Sequence, residues 1–235
     1  IEKLIKEGVD VFRINFSHSN HKEAEILINK IRIINTKLNT NTSILADLQG
    51  PKLRIGEIKP NTHLNDGDDI IIKAGNEFIG DGKAIFVNYK TLPTDVNKGE
   101  NILVDDGKII LKVTDTNKTD QINAKVIQGG DLFSNKGFNL PNTNISQPAL
   151  TEKDIKDAIF SAKQNVDWIA LSFVREVADV KLLIELLEKN TDHRIPVIAK
   201  IEKPEGVKNI DDIMKYASGI MVARGDLGVE INASE

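Results

Sequence analysis

Lys200 and Glu202 stand two positions apart at the end of an apolar run, Val197-Ile-Ala-Lys200-Ile-Glu202. The run is short, rich in β-branched residues and bounded by Pro204 and Gly206, so it reads as a buried strand. Side chains alternate along a strand, so the ammonium and the carboxylate project to the same side. Burying both is unfavourable unless they pair or bind something. A second strand end of the same kind follows, where Gly219-Ile-Met-Val-Ala223 runs into Arg224-Gly-Asp226-Leu-Gly228. Two adjacent parallel strands would bring Glu202 and Asp226 within reach of one hard cation, which takes oxygen ligands. The plain alternative is a surface salt bridge at two strand ends.

Other expected strand ends add Arg13, Asn15, Ser17, Asp47, Ser172 and Arg175. Arginines are the preferred partners of phosphate and carboxylate oxygens. A carboxylate pair can hold Mg²⁺, and a strand-end lysine can neutralise a phosphoryl group in transit. Together these parts fit phosphoryl transfer, where catalysis is mostly positioning and charge neutralisation. Gly225-Asp226 reads as the opening of a short helix whose free N–H groups bind an anion.

Several other patterns carry less. Arg224-Gly-Asp226 matches an adhesion tripeptide, but short motifs match by chance and no secretory signal accompanies it. His18 and His21 fall in the first turn of a helix and read as local polar contacts rather than metal ligands. Asp66, Asp68 and Asp69 lack the later bidentate Glu of a Ca²⁺ loop and read as a solvated turn. Lys52 lacks the glycine spacing and the following Ser/Thr of a P-loop. Ser172 has no His placed by the sequence as its base, so it is not read as a nucleophile. Trp168 reads as core.

The elements that must hold these residues follow from periodicity. Ile1–Gly8 reads as the tail of a helix stopped by Gly8, then Val9–Phe16 as a strand. Ala24, Leu27, Ile28, Ile31, Ile34 and Leu38 keep helical spacing, and Ser43–Asp47 is the next buried strand. From about Leu53 to Asn139 the texture changes to short β runs with turns every ~10 residues, which suggests a small β barrel or sandwich. Asp106-Gly107 between two such runs signals a tight hairpin. Helical spacing resumes at the capping box Thr151-Glu-Lys-Asp154. Strands at Val166–Ser172, Val197–Ile201 and Gly219–Ala223 then alternate with helices over Glu176–Asn190 and about Val207–Tyr216. Repeated β/α units with polar residues at strand C-terminal ends suggest a barrel with its site on that face.

The expected fold is thus α/β, an incomplete (β/α)8 TIM barrel interrupted by an inserted small all-β barrel. The boundaries are 1–52 for the first barrel part, 53–139 for the insert and 140–235 for the second barrel part. Of 235 residues 40% are hydrophobic and 28% charged, which is globular. With no cysteine there is no disulfide or thiolate chemistry. A net charge of −4 without a dense basic tract argues against a nucleic-acid surface. No apolar run reaches the ~20 residues of a membrane span. Both ends are abrupt and read as cuts.

Five motifs then resemble one family. Ile14-Asn-Phe-Ser-His18, Ala46-Asp-Leu-Gln-Gly-Pro-Lys-Leu-Arg54, Asn135-Lys-Gly-Phe-Asn-Leu-Pro141, Ala199-Lys-Ile-Glu202 and Met221-Val-Ala-Arg-Gly-Asp-Leu-Gly-Val-Glu230 look like those of pyruvate kinase, in that family's order and over essentially the whole chain. The resemblance implies phosphoryl transfer from phosphoenolpyruvate to ADP, giving pyruvate and ATP, in a cytoplasmic homotetramer, with neither nucleic acid nor membrane as partner. It implies that Lys200 stabilises the phosphoryl group in transit and that Glu202 and Asp226 hold Mg²⁺ (or Mn²⁺). It assigns the phosphoryl contact to Arg13, the substrate carboxylate to the backbone around Gly225, and the nucleotide to Arg54 and Lys136. Asn15, Ser17, Asp47 and the Leu48 carbonyl match its monovalent-cation site. Lys52, however, stands where K⁺-requiring members carry Glu, and members independent of K⁺ resemble this chain at Leu48, Gln49 and Lys52. K⁺ is therefore expected not to be required. The family threonine linked to enolate protonation lies on a later strand that this sequence does not include. The 235-residue chain alone is expected to be poorly soluble and inactive. The competing expectations are an inactive truncated remnant and a related Mg²⁺-dependent barrel lyase acting on phosphoenolpyruvate, pyruvate or another oxo acid.

Overall fold

The computed structural model describes residues 1–231. The chain opens with α1 (Glu2–Lys6), β1 (Val11–Asn15), α2 (His21–Leu38) and β2 (Ser43–Asp47). A β-rich stretch follows, holding β3 (His63–Leu64), β4 (Asp69–Ala74), β5 (Ala84–Val87), α3 (Leu92–Asp95), β6 (Asn101–Val104), β7 (Ile109–Thr116), β8 (Gln121–Gln128), β9 (Gly130–Asp131) and β10 (Phe138–Asn139). The α/β alternation then resumes through α4 (Glu152–Lys163), β11 (Trp168–Leu171), α5 (Val177–Glu188), β12 (Val197–Ile201), α6 (Pro204–Lys208), α7 (Ile210–Ile213), β13 (Gly219–Val222) and α8 (Arg224–Glu230). Contacts divide the chain into two compact units. One is 1–51 with 148–223, and the other is 52–147 with the stretch from Arg224 onward.

In the first unit β1, β2, β11, β12 and β13 form one parallel sheet in that order. β2 and β11 pair directly, Ala46 opposite Ile169, although 120 residues of sequence begin between them at Leu48 and end at Asp167. The β-rich stretch therefore enters and leaves between neighbouring strands, as an insertion must. Parallel strands are covered on both faces, which is why Ser43–Asp47 buries four of its five residues. Ile14, Ile44, Ile169, Leu171, Val197 and Ala199 from the sheet share a core with Ile28 and Ile31 of α2 and Val180 and Leu183 of α5. Both long helices before the strands start as the sequence directs. Asn20 with Glu23 caps α2, and Thr151 with Asp154 caps α4, each with side-chain and backbone bonds exchanged. The sheet and its helices are the α/β barrel architecture expected, and five strands of its eight are present among the described residues.

Two local expectations change. The helix expected about Val207–Tyr216 is two short helices that meet at Asn209. The Asn209 amide donates to the Arg175 carbonyl at 2.8 Å, so this side chain bonds across the fold instead of extending one helix. Trp168 is half-buried rather than core.

In the second unit, β10, β6, β7, β8, β4 and β5 form a six-stranded sheet, antiparallel except for the β4–β5 pair. The segment Arg54–Ile55 bridges to both edges, Arg54 to Gly137 beside β10 and Ile55 to Val87 of β5. Closure through this segment makes a small barrel filled by Ile72, Ile85, Ile102, Leu111, Ile122 and Phe138. Asp105, Asp106 and Gly107 all take positive φ in the hairpin between β6 and β7, which the Asp-Gly pair anticipated. By contact, 140–147 go with this unit. Leu140 sits in its core, and Ser146 bonds to Tyr89 and Asp95. α8 goes with it too, through Lys52–Asp226 at 3.4 Å and Asn139–Glu230 at 2.9 Å. The sequence reading put both stretches in the second barrel part.

Candidate active site

The C-terminal ends of β1, β2, β11 and β12 converge on Lys200. Its Nζ lies 2.7 Å from Ser172 Oγ, 3.0 Å from Glu202 Oε1 and 3.2 Å from Asp47 Oδ1. Lys200 is 8%, Glu202 1% and Asp47 1% exposed, so these are buried charges and not surface pairs. Arg13 completes the group. Its Nε donates to Asp47 Oδ2 at 2.6 Å, and its second guanidinium nitrogen lies 2.5 Å from the same oxygen. Two cations and two carboxylates sum to zero charge, which lets the quartet survive burial. The Arg13 side chain is half exposed, so its guanidinium still reaches solvent and an incoming anion.

Glu202 is fixed from a second direction. The Phe173 N–H donates to Glu202 Oε2 at 2.8 Å. Phe173 takes φ +57°, a left-handed conformation unusual for an aromatic residue, and this turns its N–H toward the carboxylate. Gly50, with φ +68°, allows the turn to close. A Cβ there would stand 2.8 Å from the Phe173 ring and 2.9 Å from Ser172 Cβ. Its N–H is in turn held by Asp154 at 3.0 Å.

On the insert, Arg54 and Lys136 are brought together by backbone pairing. The Ile55 N–H donates to the Lys136 carbonyl at 3.0 Å, and the Arg54 guanidinium donates to the Asn135 carbonyl at 2.8 Å. Lys136 Nζ lies 3.0 Å from Asp105 and 5.7 Å above the Phe133 ring centre. Burial opposes ionisation of Asp105, yet hydrogen bonds from Lys136 and Lys108 outweigh it and hold the carboxyl below its ordinary value.

β12 and β13 are parallel neighbours, Ile201 opposite Val222, so the strands leading to Glu202 and Asp226 are adjacent as expected. Asp226 lies in the first turn of α8, and Lys52 Nζ donates to its Oδ1 at 3.4 Å. Among the described residues no three His, Asp or Glu side chains converge into a closed metal cage. Mg²⁺ needs none, since it takes one or two carboxylates and keeps water and substrate oxygens. Glu202 in the first unit and Asp226 in the second are each carboxylates of that donor type, the former buried and the latter one-third exposed. The four residues matched to a monovalent-cation site have internal partners. Asp47 holds Arg13 and Lys200, the Leu48 carbonyl accepts from Ser172 Oγ at 2.7 Å, and Asn15 Oδ1 accepts the Ser17 N–H at 2.9 Å. Gly225 in α8 has open space where a side chain would stand. Arg175, gathered with the strand-end group from sequence, pairs with Asp179 at 3.4 Å. Ser172 and the Phe173 N–H were missed as partners of Lys200 and Glu202. Their one sequence signal was position, directly after β11.

A parallel α/β sheet with charged residues gathered at its strand ends, split by a β-barrel insert, defines a barrel enzyme class whose chemistry sits on the C-terminal face. The family model described as "Pyruvate kinase, barrel domain" matches residues 1–235, so the chain belongs to the pyruvate kinase family. Proteins named pyruvate kinase from Mycobacterium tuberculosis, Mycobacterium intracellulare and Clostridium perfringens are 40%, 42% and 40% identical over 100%, 99% and 98% of this chain. The match takes in 49% of each of those proteins, so the chain spans about half the length of the curated relatives it matches. No described helix is long and apolar enough to cross a membrane.

Proposed function

We propose that the protein transfers the phosphoryl group of phosphoenolpyruvate to ADP, giving pyruvate and ATP. The observation that carries this reading is the charge-balanced quartet of buried Asp47, Lys200 and Glu202 with half-exposed Arg13. Phosphoryl transfer asks for fixed positive charge where oxygens bear developing negative charge, and little covalent chemistry from the protein. Lys200 supplies that charge from a strand end, in a site dry enough for it to count. Arg13, anchored on Asp47 but half exposed, binds the phosphoryl oxygens of the incoming substrate. Glu202 and Asp226 would hold Mg²⁺, which supplies electrophilic stabilisation of the enolate and phosphoryl oxygens when bound. The backbone around Gly225 is assigned the substrate carboxylate. Arg54 and Lys136 are assigned the nucleotide, as adjacent cations on the insert. The partnered state of Asp47, Leu48 and Asn15 favours activity without K⁺. The complete protein is read as a cytoplasmic homotetramer.

The test is a coupled assay of the complete gene product with phosphoenolpyruvate, ADP and Mg²⁺, with and without KCl at constant ionic strength. ADP-dependent pyruvate is expected, unchanged by KCl and reduced about 10²–10³-fold in Lys200→Met. A folded wild type that makes no ADP-dependent pyruvate moves the reading to a lyase or an inactive remnant. A large stimulation by KCl removes the K⁺-independence alone.

A further inference from the structure

We propose that Ser172 is a positioning residue for Lys200, aiming its ammonium for the transfer step. This rests on the phosphotransferase reading above. Three oxygens surround Lys200 Nζ, and they hold it differently. The carboxylates of Glu202 and Asp47 stand at ion-pair distances of 3.0 and 3.2 Å. Asp47 Oδ1, though buried, takes part in no aligned hydrogen bond. Coulomb attraction of this kind has little directional preference. Ser172 Oγ is nearer, at 2.7 Å, and is in hydrogen-bond geometry.

The direction of that bond is set by the backbone. A serine hydroxyl has one proton, and Ser172 gives it to the Leu48 carbonyl at 2.7 Å. Its lone pairs are then the only part left for Lys200, so it accepts and cannot compete as a donor. The Leu48 peptide is itself fixed, because its N–H donates to the Ala170 carbonyl at 3.0 Å. Ser172 is 2% exposed, and Gly50 packs against its Cβ with no space for a side chain of its own. The chain Ala170–Leu48–Ser172–Lys200 thus runs from β11 across β2 to β12. It fixes one side of the ammonium, and the remaining N–H groups are left for the carboxylates and for a phosphoryl oxygen. Glu202 is held through the Phe173 N–H, by a separate bond from the same turn.

That separation supplies the test. In Ser172→Ala of the complete protein, kcat for ADP-dependent pyruvate formation is expected to fall about 10–100-fold, the loss that a ~1 Å misplacement brings. KM for phosphoenolpyruvate and the Mn²⁺ affinity, read by titration without substrate, are expected to stay within about threefold, since Phe173 still holds Glu202. An unchanged kcat overturns the proposal. So does an equal loss of kcat and Mn²⁺ affinity, which would mean that the whole turn had collapsed. If the wild type lacks the activity, the phosphotransferase reading fails by itself. The crystal structure of Ser172→Ala then decides the positioning claim separately. Lys200 Nζ displaced by about 1 Å supports it, and an unmoved Nζ overturns it.

Discussion

The two units place charge in opposite ways. In the parallel-sheet unit the strand-end charges are buried and satisfy one another, with Lys200, Glu202 and Asp47 nearly sealed from water. In the insert a hydrophobic cluster fills the barrel, Asp105 is a buried carboxylate at its margin, and the assigned cations Arg54 and Lys136 stand outside the cluster on loop and bridge positions. The lesson is about cost. Buried charges held by three or four partners are rigid and sensitive to any single loss, whereas rim cations can be traded for substrate contacts with little effect on the fold. The charge assigned to catalysis is thus carried by strands, and that assigned to the nucleotide by a surface built from short turns.

Four experiments break or sharpen that contrast. Glu202→Ala leaves a buried ammonium less compensated and orphans the Phe173 N–H. It is expected to cost about 3–5 kcal/mol in denaturant unfolding. A loss within about 0.5 kcal/mol, as for a surface change, would erase the distinction between the units. Leu111→Ala empties a site that is 0% exposed in the insert and is expected to cost about 2–5 kcal/mol. Hydrogen exchange should localise the loss to β6, β7 and β8 and leave β11 and β12 protected. Lys136→Ala removes a partly exposed pair with Asp105, so unfolding should shift by less than about 1 kcal/mol. The KM for ADP should nevertheless rise about tenfold, the worth of one charge-assisted contact.

The smallest effect is a pH dependence. Backbone N–H bonding from Lys83, then Lys59 and the Ala84 N–H, lowers the Asp81 carboxyl from 3.8 to about 2. The unfolded chain therefore binds the proton first as pH falls. The stabilisation is complete above about pH 4 and disappears between there and about pH 2. Asp81→Asn should remove that part of the acid slope of unfolding and lower stability slightly at pH 7, where the stabilisation is present, while leaving it unchanged near pH 2.

Much of the fold was legible because it follows from short-range pattern. All five parallel strands, the capping box at Thr151 and the Asp106-Gly107 hairpin lie where periodicity and turn chemistry set them. The insert's minor pieces were not legible. β3, β9 and β10 have two residues each, too few to show a period, and β5 and α3 are only four residues long. Asn209 shows the same limit, since its long-range bond to Arg175 splits what spacing alone reads as one helix.

The sequence by itself determined which residue types arrive at the strand ends, because strand period and β/α order deliver Arg13, Asp47, Lys200 and Glu202 to one face. Only the tertiary structure decided how they are satisfied. The pairing of β2 with β11 sets Leu48 beside Ser172, and the left-handed Phe173 turns a backbone N–H onto Glu202. Those contacts join residues 29 to 124 positions apart, and hydrogen-bond direction over such separations comes from sheet register and turn geometry, which no local pattern encodes.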